Sequence, residues 1–92
     1  MKKRIEKVRQ LMEKEDLDAL LIDSNVNRFY LTGFTGTSGR VLFTPYENYF
    51  ITDFRYREQA EAETNGYVVE EISRKIIKNI GELLHKEGVK VL

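Results

Sequence analysis

Apolar residues recur along this chain in two alternating rhythms, and that alternation restricts the fold more than any other feature. Over residues 3–15, Ile5, Val8, Leu11 and Met12 fall three or four positions apart among charges, the spacing of a one-sided helix. Residues 17–22 (LDALLI) read as a short buried strand ended by Asp23, Ser24 and Asn25. Ser24 or Asn25 can cap a short helix over 26–31 that stops at Gly33. Residues 40–44 and 49–52 are two strands of a hairpin, joined through Pro45, Tyr46, Glu47 and Asn48. Thr52 or Asp53 can cap a helix over 55–64, which Asn65 and Gly66 end. A strand over 67–72 follows. Ser73 can then cap a second amphipathic helix over 75–86, with Ile76, Ile77, Ile80, Leu83 and Leu84 on its buried side and Gly88 closing it. This order predicts an α/β fold: a mixed β-sheet with flanking helices, an antiparallel pair inside it and parallel strands around that pair.

Ninety-two residues make one domain. A chain of this size buries roughly 60 % of its unfolded surface, so its core is small. Hydrophobic content of 41 % at zero formal net charge excludes a disordered chain. The balance of 15 basic against 15 acidic residues argues against nucleic acid as the main partner. No apolar run approaches membrane-spanning length, and MKKRIEKVRQ lacks the apolar segment of a signal peptide. The absence of cysteine removes disulfide, thiolate and Cys-zinc chemistry and suits a reducing cytoplasm, the expected location. Val89 to Leu92 read as a strand just beginning, so the chain is expected to be the front part of a longer polypeptide.

The densest candidate site is GFTGTSGRV, where Gly33, Gly36 and Gly39 permit close approach of the backbone to whatever lies above. Phe29, Tyr30, Phe34 and Arg40 would give that loop side chains able to grip a small polar ligand. It is not a phosphate loop: Arg40 stands where Lys is needed, Val41 replaces the hydroxyl, and the loop leads into a strand. The first glycine step is three residues, not the two of a dinucleotide fingerprint. Two readings stand side by side: a loop whose glycines meet backbone needs, and a ligand-adjacent loop. In TDFRY, Asp53 as a helix cap is favoured over Arg55 as a carboxylate clamp, with Arg55 solvated or paired to Glu58. His85, the only histidine, suits a helix C-terminus. The acidic stretch from Glu58 to Glu71 reads as a solvated face. Without H-E-x-x-H or a Cys pattern, the chain holds no recognisable catalytic metal site.

The run N-x-x-Y-L-T-G-F (Asn27, Tyr30, Leu31, Thr32, Gly33, Phe34), followed by T-D-x-R-Y-x-x-Q-A (Thr52, Asp53, Arg55, Tyr56, Gln59, Ala60), resembles the N-terminal domain of the Xaa-Pro peptidase group. That group contains aminopeptidase P, prolidase and creatinase. The likeness covers nearly the whole chain, and G-F-T-G-T-S-G looks most like bacterial aminopeptidase P. Phe54 stands where the group often has Gly. The resemblance implies a ribonuclease-H-like topology without nuclease residues and no catalytic residue or metal in this chain. It also implies a following pita-bread metallopeptidase domain with two divalent metals, manganese or cobalt, on two Asp, one His and two Glu. Further implications are a homo-oligomer, dimer or tetramer, and a peptide substrate with proline in second place. By position, Phe34, Gly36, Ser38, Gly39 and Arg40 would form a substrate-adjacent loop reaching a neighbouring subunit's active site. Arg40 is the expected contact to a substrate carboxylate. Asn27, Tyr30, Asp53, Arg55 and Tyr56 would support the loop. The alternative is a protein-interaction module of the same fold that lacks the metal centre.

Overall fold

The structure, a computed structural model, describes residues 2–36, 38–85 and 88–91. Its elements run α1 (Lys2–Lys14), β1 (Ala19–Ile22), α2 (Asn25–Thr32), β2 (Arg40–Phe43), β3 (Asn48–Thr52), α3 (Arg57–Glu63), β4 (Val68–Glu71), α4 (Arg74–Leu84) and β5 (Val89–Val91). The first strand is shorter than the apolar run suggests. Asp16 turns the chain at φ 54°, Leu17 donates its N–H back to the Met12 carbonyl at 2.8 Å, and pairing starts only at Ala19.

The five strands form one mixed sheet in the order β4-β3-β2-β1-β5. β2 runs against β1 and β3, while β4 and β5 are parallel to β3 and β1. The β1–β2–β3 meander, with β5 returning beside β1, matches the ribonuclease-H-like expectation, and β4 adds an outer strand. Register sorts the apolar side chains by strict alternation. Leu20, Ile22, Val41, Phe43 and Phe50 share one face, where Met12 of α1, Leu31 of α2 and Ala60 of α3 cover them. Ala19, Leu21, Leu42 and Ile51 share the other, under Ile76, Ile80 and Leu83 of α4. All four residues of β1 are buried, as a strand covered on both faces requires.

Three helices cover the first face and one the second, and that asymmetry follows from connectivity. The β4–β5 crossing spans four strand spacings, about 19 Å, against about 16 Å for an eleven-residue helix. α4 therefore lies across the sheet as a single strip, and every one of its residues stays at least partly exposed. A groove of about 560 Å³ is left between α4 and the sheet, floored by Leu42, Tyr49 and Ile51. Ser24 and Ser73 cap α2 and α4 as expected, their hydroxyls accepting from the Asn27 and Ile76 amides. Two side chains lock distant segments together. Arg9 of α1 donates to the Thr44 carbonyl and to Asn48 Oδ1 in the hairpin. The Tyr67 hydroxyl donates to the Leu31 carbonyl at 2.9 Å, and burial pushes its ionisation up to about 12.

Candidate functional site

The glycine loop starts where α2 is made to stop. Gly33 takes a left-handed φ of 75° and returns its N–H to the Phe29 carbonyl at 2.8 Å. Thr32, fully buried, then steers the chain inward. Its hydroxyl donates to the Arg28 carbonyl and accepts from the Phe34 amide, at 2.7 and 3.1 Å. Phe34 consequently enters the core at 1 % exposure. Its ring lies 4.6 Å from that of Phe50 and stands edge-on to Tyr56 at 6.1 Å. Phe34 is thus the anchor of the loop and does not face solvent. Tyr56 packs against the anchoring ring through this contact.

Arg28, at an unspecified position within N-x-x-Y-L-T-G-F, braces the far side. It is only 6 % exposed, and its Nη1 and Nη2 donate to the Gly39 and Gly36 carbonyls at 2.7 and 3.1 Å. Its sequence signal is its place three and four residues before the buried pair Leu31 and Thr32, on the inner side of the helix. The expected supports Asn27 and Tyr30 are placed otherwise. Asn27 is exposed in the first turn with its amide on Ser24, and Tyr30 gives its carbonyl and ring face to Arg4. The glycines serve close packing beneath the loop. A methyl at Gly36 would overlap the Phe34 ring, and one at Gly39 would lie 2.6 Å from Phe50 Cζ. The Ser38 carbonyl accepts from the buried Thr52 hydroxyl at 3.0 Å. Arg40 projects from the end of the loop, exposed, with Nε donating to Asp23 Oδ1 at 3.0 Å.

Asp53 does not cap α3. Its Oδ1 accepts from the Arg55 amide at 2.9 Å, closing a turn on its own backbone, and its Oδ2 pairs with Arg55 Nη2 at 3.0 Å. With that carboxylate already used, α3 begins at Arg57, and Tyr56 occupies the capping position without a side-chain bond. Arg55 pairs with Asp53 and not with Glu58, and this hydrogen bond holds the Asp53 carboxyl below its ordinary range. The TDFRY segment is therefore a self-closed turn beside the loop, with Phe54 pointing into solvent at 76 % exposure.

The loop's first residue is tied to α3 by charge. Glu63 Oε1 accepts from the Thr35 amide and hydroxyl at 2.9 and 3.0 Å, while Gln59 donates to both partners. The Thr35 amide above all, then Gln59 and the Thr35 hydroxyl, hold the Glu63 carboxyl below its usual range. A depressed carboxylate contributes stability that is present above its unfolded pKa and lost as pH falls through the folded one. Acidification below the carboxylate range should therefore loosen the 35–63 tether and speed hydrogen exchange at the Thr35 amide. In Glu63→Gln that acid-dependent step should vanish. An unchanged profile in the variant would show that Glu63 does not hold the loop.

Two hollows flank Arg28. One of about 290 Å³ lies between the start of α2 and the Ser38–Arg40 strand entry. The other, about 310 Å³, is walled by Phe29, Phe34 and Thr35. Among the described residues, no three His, Asp or Glu side chains come together in a way that would hold a metal ion. The resemblance places its divalent metals in a following domain and not on these residues.

A five-stranded mixed sheet with an aromatic-anchored glycine loop defines a class of domain. Residues 4–91 match the family described as Creatinase/Prolidase N-terminal domain, and the chain belongs to that family. It is 37 % identical over 89 residues to an uncharacterised peptidase, YqhT, of Bacillus subtilis (strain 168), covering 97 % of this chain and 25 % of the relative. Among solved structures it is similar to an Xaa-Pro dipeptidase from Bacillus anthracis. The TM-score is 0.76 at 34 % identity, over 88 % of this chain and 24 % of the other. An Xaa-Pro aminopeptidase structure from Streptococcus pyogenes gives 0.79 at 30 % identity, over 99 % and 88 %. The chain thus spans about a quarter of the length of the B. subtilis peptidase and the B. anthracis dipeptidase.

Proposed function

We propose that this domain is the non-catalytic N-terminal part of a cytoplasmic, metal-dependent Xaa-Pro aminopeptidase. The observation that carries the reading is the family membership of residues 4–91, joined to peptidase relatives of which this chain matches only a quarter. Hydrolysis of an Xaa-Pro bond needs a nucleophilic hydroxide and a polarised carbonyl, which a bound divalent metal supplies. The ligands for such metals belong, in this reading, to a following domain. The role of the present domain is assembly and access. Its loop is fixed underneath by Phe34 and laterally by Arg28, which leaves Arg40 as the exposed cation at its end. A loop braced at Phe34, Gly36 and Gly39, with the Arg40 guanidinium projecting, suits contact with a peptide carboxylate in the active site of a neighbouring subunit.

Exposed Val26 lies one helical turn before exposed Phe29 and Tyr30 on α2, which gives this face the character of an interface. They favour an oligomer, and they suit the second reading equally: an interaction module of the same fold without catalysis.

Arg40→Ala in the protein carrying the metallopeptidase domain tests the assignment. The expected outcome is a rise in KM of about tenfold on an Xaa-Pro dipeptide, a smaller change on longer Xaa-Pro peptides, and unaltered thermal stability. Stability should hold because Arg40 and Asp23 form an exposed ion pair, a type that contributes about 0–1 kcal/mol. Equal kinetics for both proteins would remove Arg40 from the site. Absence of Xaa-Pro hydrolysis by the unmutated protein would leave the interaction module.

A further inference from the structure

We propose that the hollow between the first turn of α2 and the Ser38–Arg40 segment binds a small organic monocarboxylate, drawn there by the guanidinium of Arg28. Arg28 carries a permanent charge yet is buried to the extent of 6 % exposure. Two of its nitrogens are engaged by the Gly36 and Gly39 carbonyls, and its Nε is buried with no hydrogen-bond partner. Among the described residues no carboxylate lies within ion-pair distance of it. Carbonyl dipoles satisfy hydrogen bonds but do not neutralise a charge, and a buried cation without a counter-ion is costly. The pair of hollows flanking this side chain offers room for that counter-ion.

Charge and lining select the hollow and the ligand. The one at the start of α2 contains Arg28, Arg40 and Asp23, a sum of one positive charge. A single negative charge neutralises it, and a dianion would overshoot. Asn25 and Ser38 line the same space as polar groups able to donate, and the amino end of the eight-residue α2 adds positive potential. Ile51 and Ile72 form an apolar wall, which favours an organic acid over a bare inorganic ion. The volume of about 290 Å³ accommodates an acid of a few carbons. The opposite hollow is lined by Phe29 and Phe34 and lacks the second arginine. This inference goes beyond the peptidase reading and does not need it, because the site lies within one chain and its test reads binding without hydrolysis.

The test is an NMR titration of the 92-residue chain with sodium propionate against sodium chloride at matched ionic strength. Propionate should shift the Arg28 Nε–H resonance and the Gly39 amide saturably, with half-saturation at least about tenfold lower than any chloride effect. Arg40→Gln, at an exposed position, should weaken propionate binding several-fold while the fold is retained. Arg28→Met should abolish it. Should that variant fail to fold, the Nε–H resonance of the unmutated chain and the Arg40→Gln titration decide the matter. Acetyl-Ala-Ala compared with its C-terminal amide separates the sources. Binding of the acid alone assigns the site to peptide ends, and exclusion of both with propionate bound assigns it to free acids. Equal shifts with chloride, tighter binding of inorganic phosphate, or an unchanged half-saturation in Arg40→Gln would each overturn the proposal.

Discussion

Phe34→Ala is expected to lower the unfolding free energy of this domain by about 3–5 kcal/mol, the usual loss when a buried aromatic is truncated. The ring is 1 % exposed and fills the space between Phe50 and Tyr56, beneath a backbone too close to allow collapse. Neighbours cannot move in, because Gly36 already lies against one side of the ring and Phe50 belongs to the central sheet. A domain of this length has a stability of roughly 5–14 kcal/mol, so the variant would lose a large part of it. Urea unfolding checks this: the midpoint should fall markedly with the slope unchanged. Phe54→Ala is the matched control, since Phe54 is 76 % exposed and its loss should change stability by less than about 0.5 kcal/mol. Similar midpoints for the two variants would mean that Phe34 does not anchor the loop.

The contrast between Phe34 and Phe54 also marks how far sequence could reach. Element order was legible because local signals agreed: the helical period of residues 3–15, the wholly apolar ALLI, and serines at the starts of α2 and α4. The hairpin was legible for the same reason. Contacts between residues distant in sequence were not. An aromatic after a glycine reads equally well as a ligand contact or a core residue, and Phe34 is decided by Phe50 and Tyr56 far along the chain. Asp53 had two local uses, helix cap or self-closed turn, and the pairing with Arg55 selected the second. Arg28 was the harder case. Arginine is read as a surface residue by default, and its burial depends on two carbonyls eight and eleven residues ahead. Of the candidate loop, the glycines and Arg40 were visible in sequence, while the side chains that hold it in place were seen only in three dimensions.

The second large effect is all-or-none. Added manganese should give no Xaa-Pro hydrolysis with these 92 residues alone, because the described side chains offer no cluster of metal-ligating groups. Under the proposed function, peptide-bond cleavage depends on another part of the protein, and the glycine loop acts on access and affinity. Joined to the metallopeptidase domain of the proposed function, the same residues should accompany full metal-dependent turnover, and loop variants such as Arg40→Ala should alter KM more than kcat.

The most direct measurement is therefore release of the N-terminal residue from an Xaa-Pro peptide with manganese present, comparing the separate 92-residue chain with the joined protein. Turnover confined to the joined protein is the expected result. Metal-dependent turnover by the separate chain would contradict the division of labour on which this account rests.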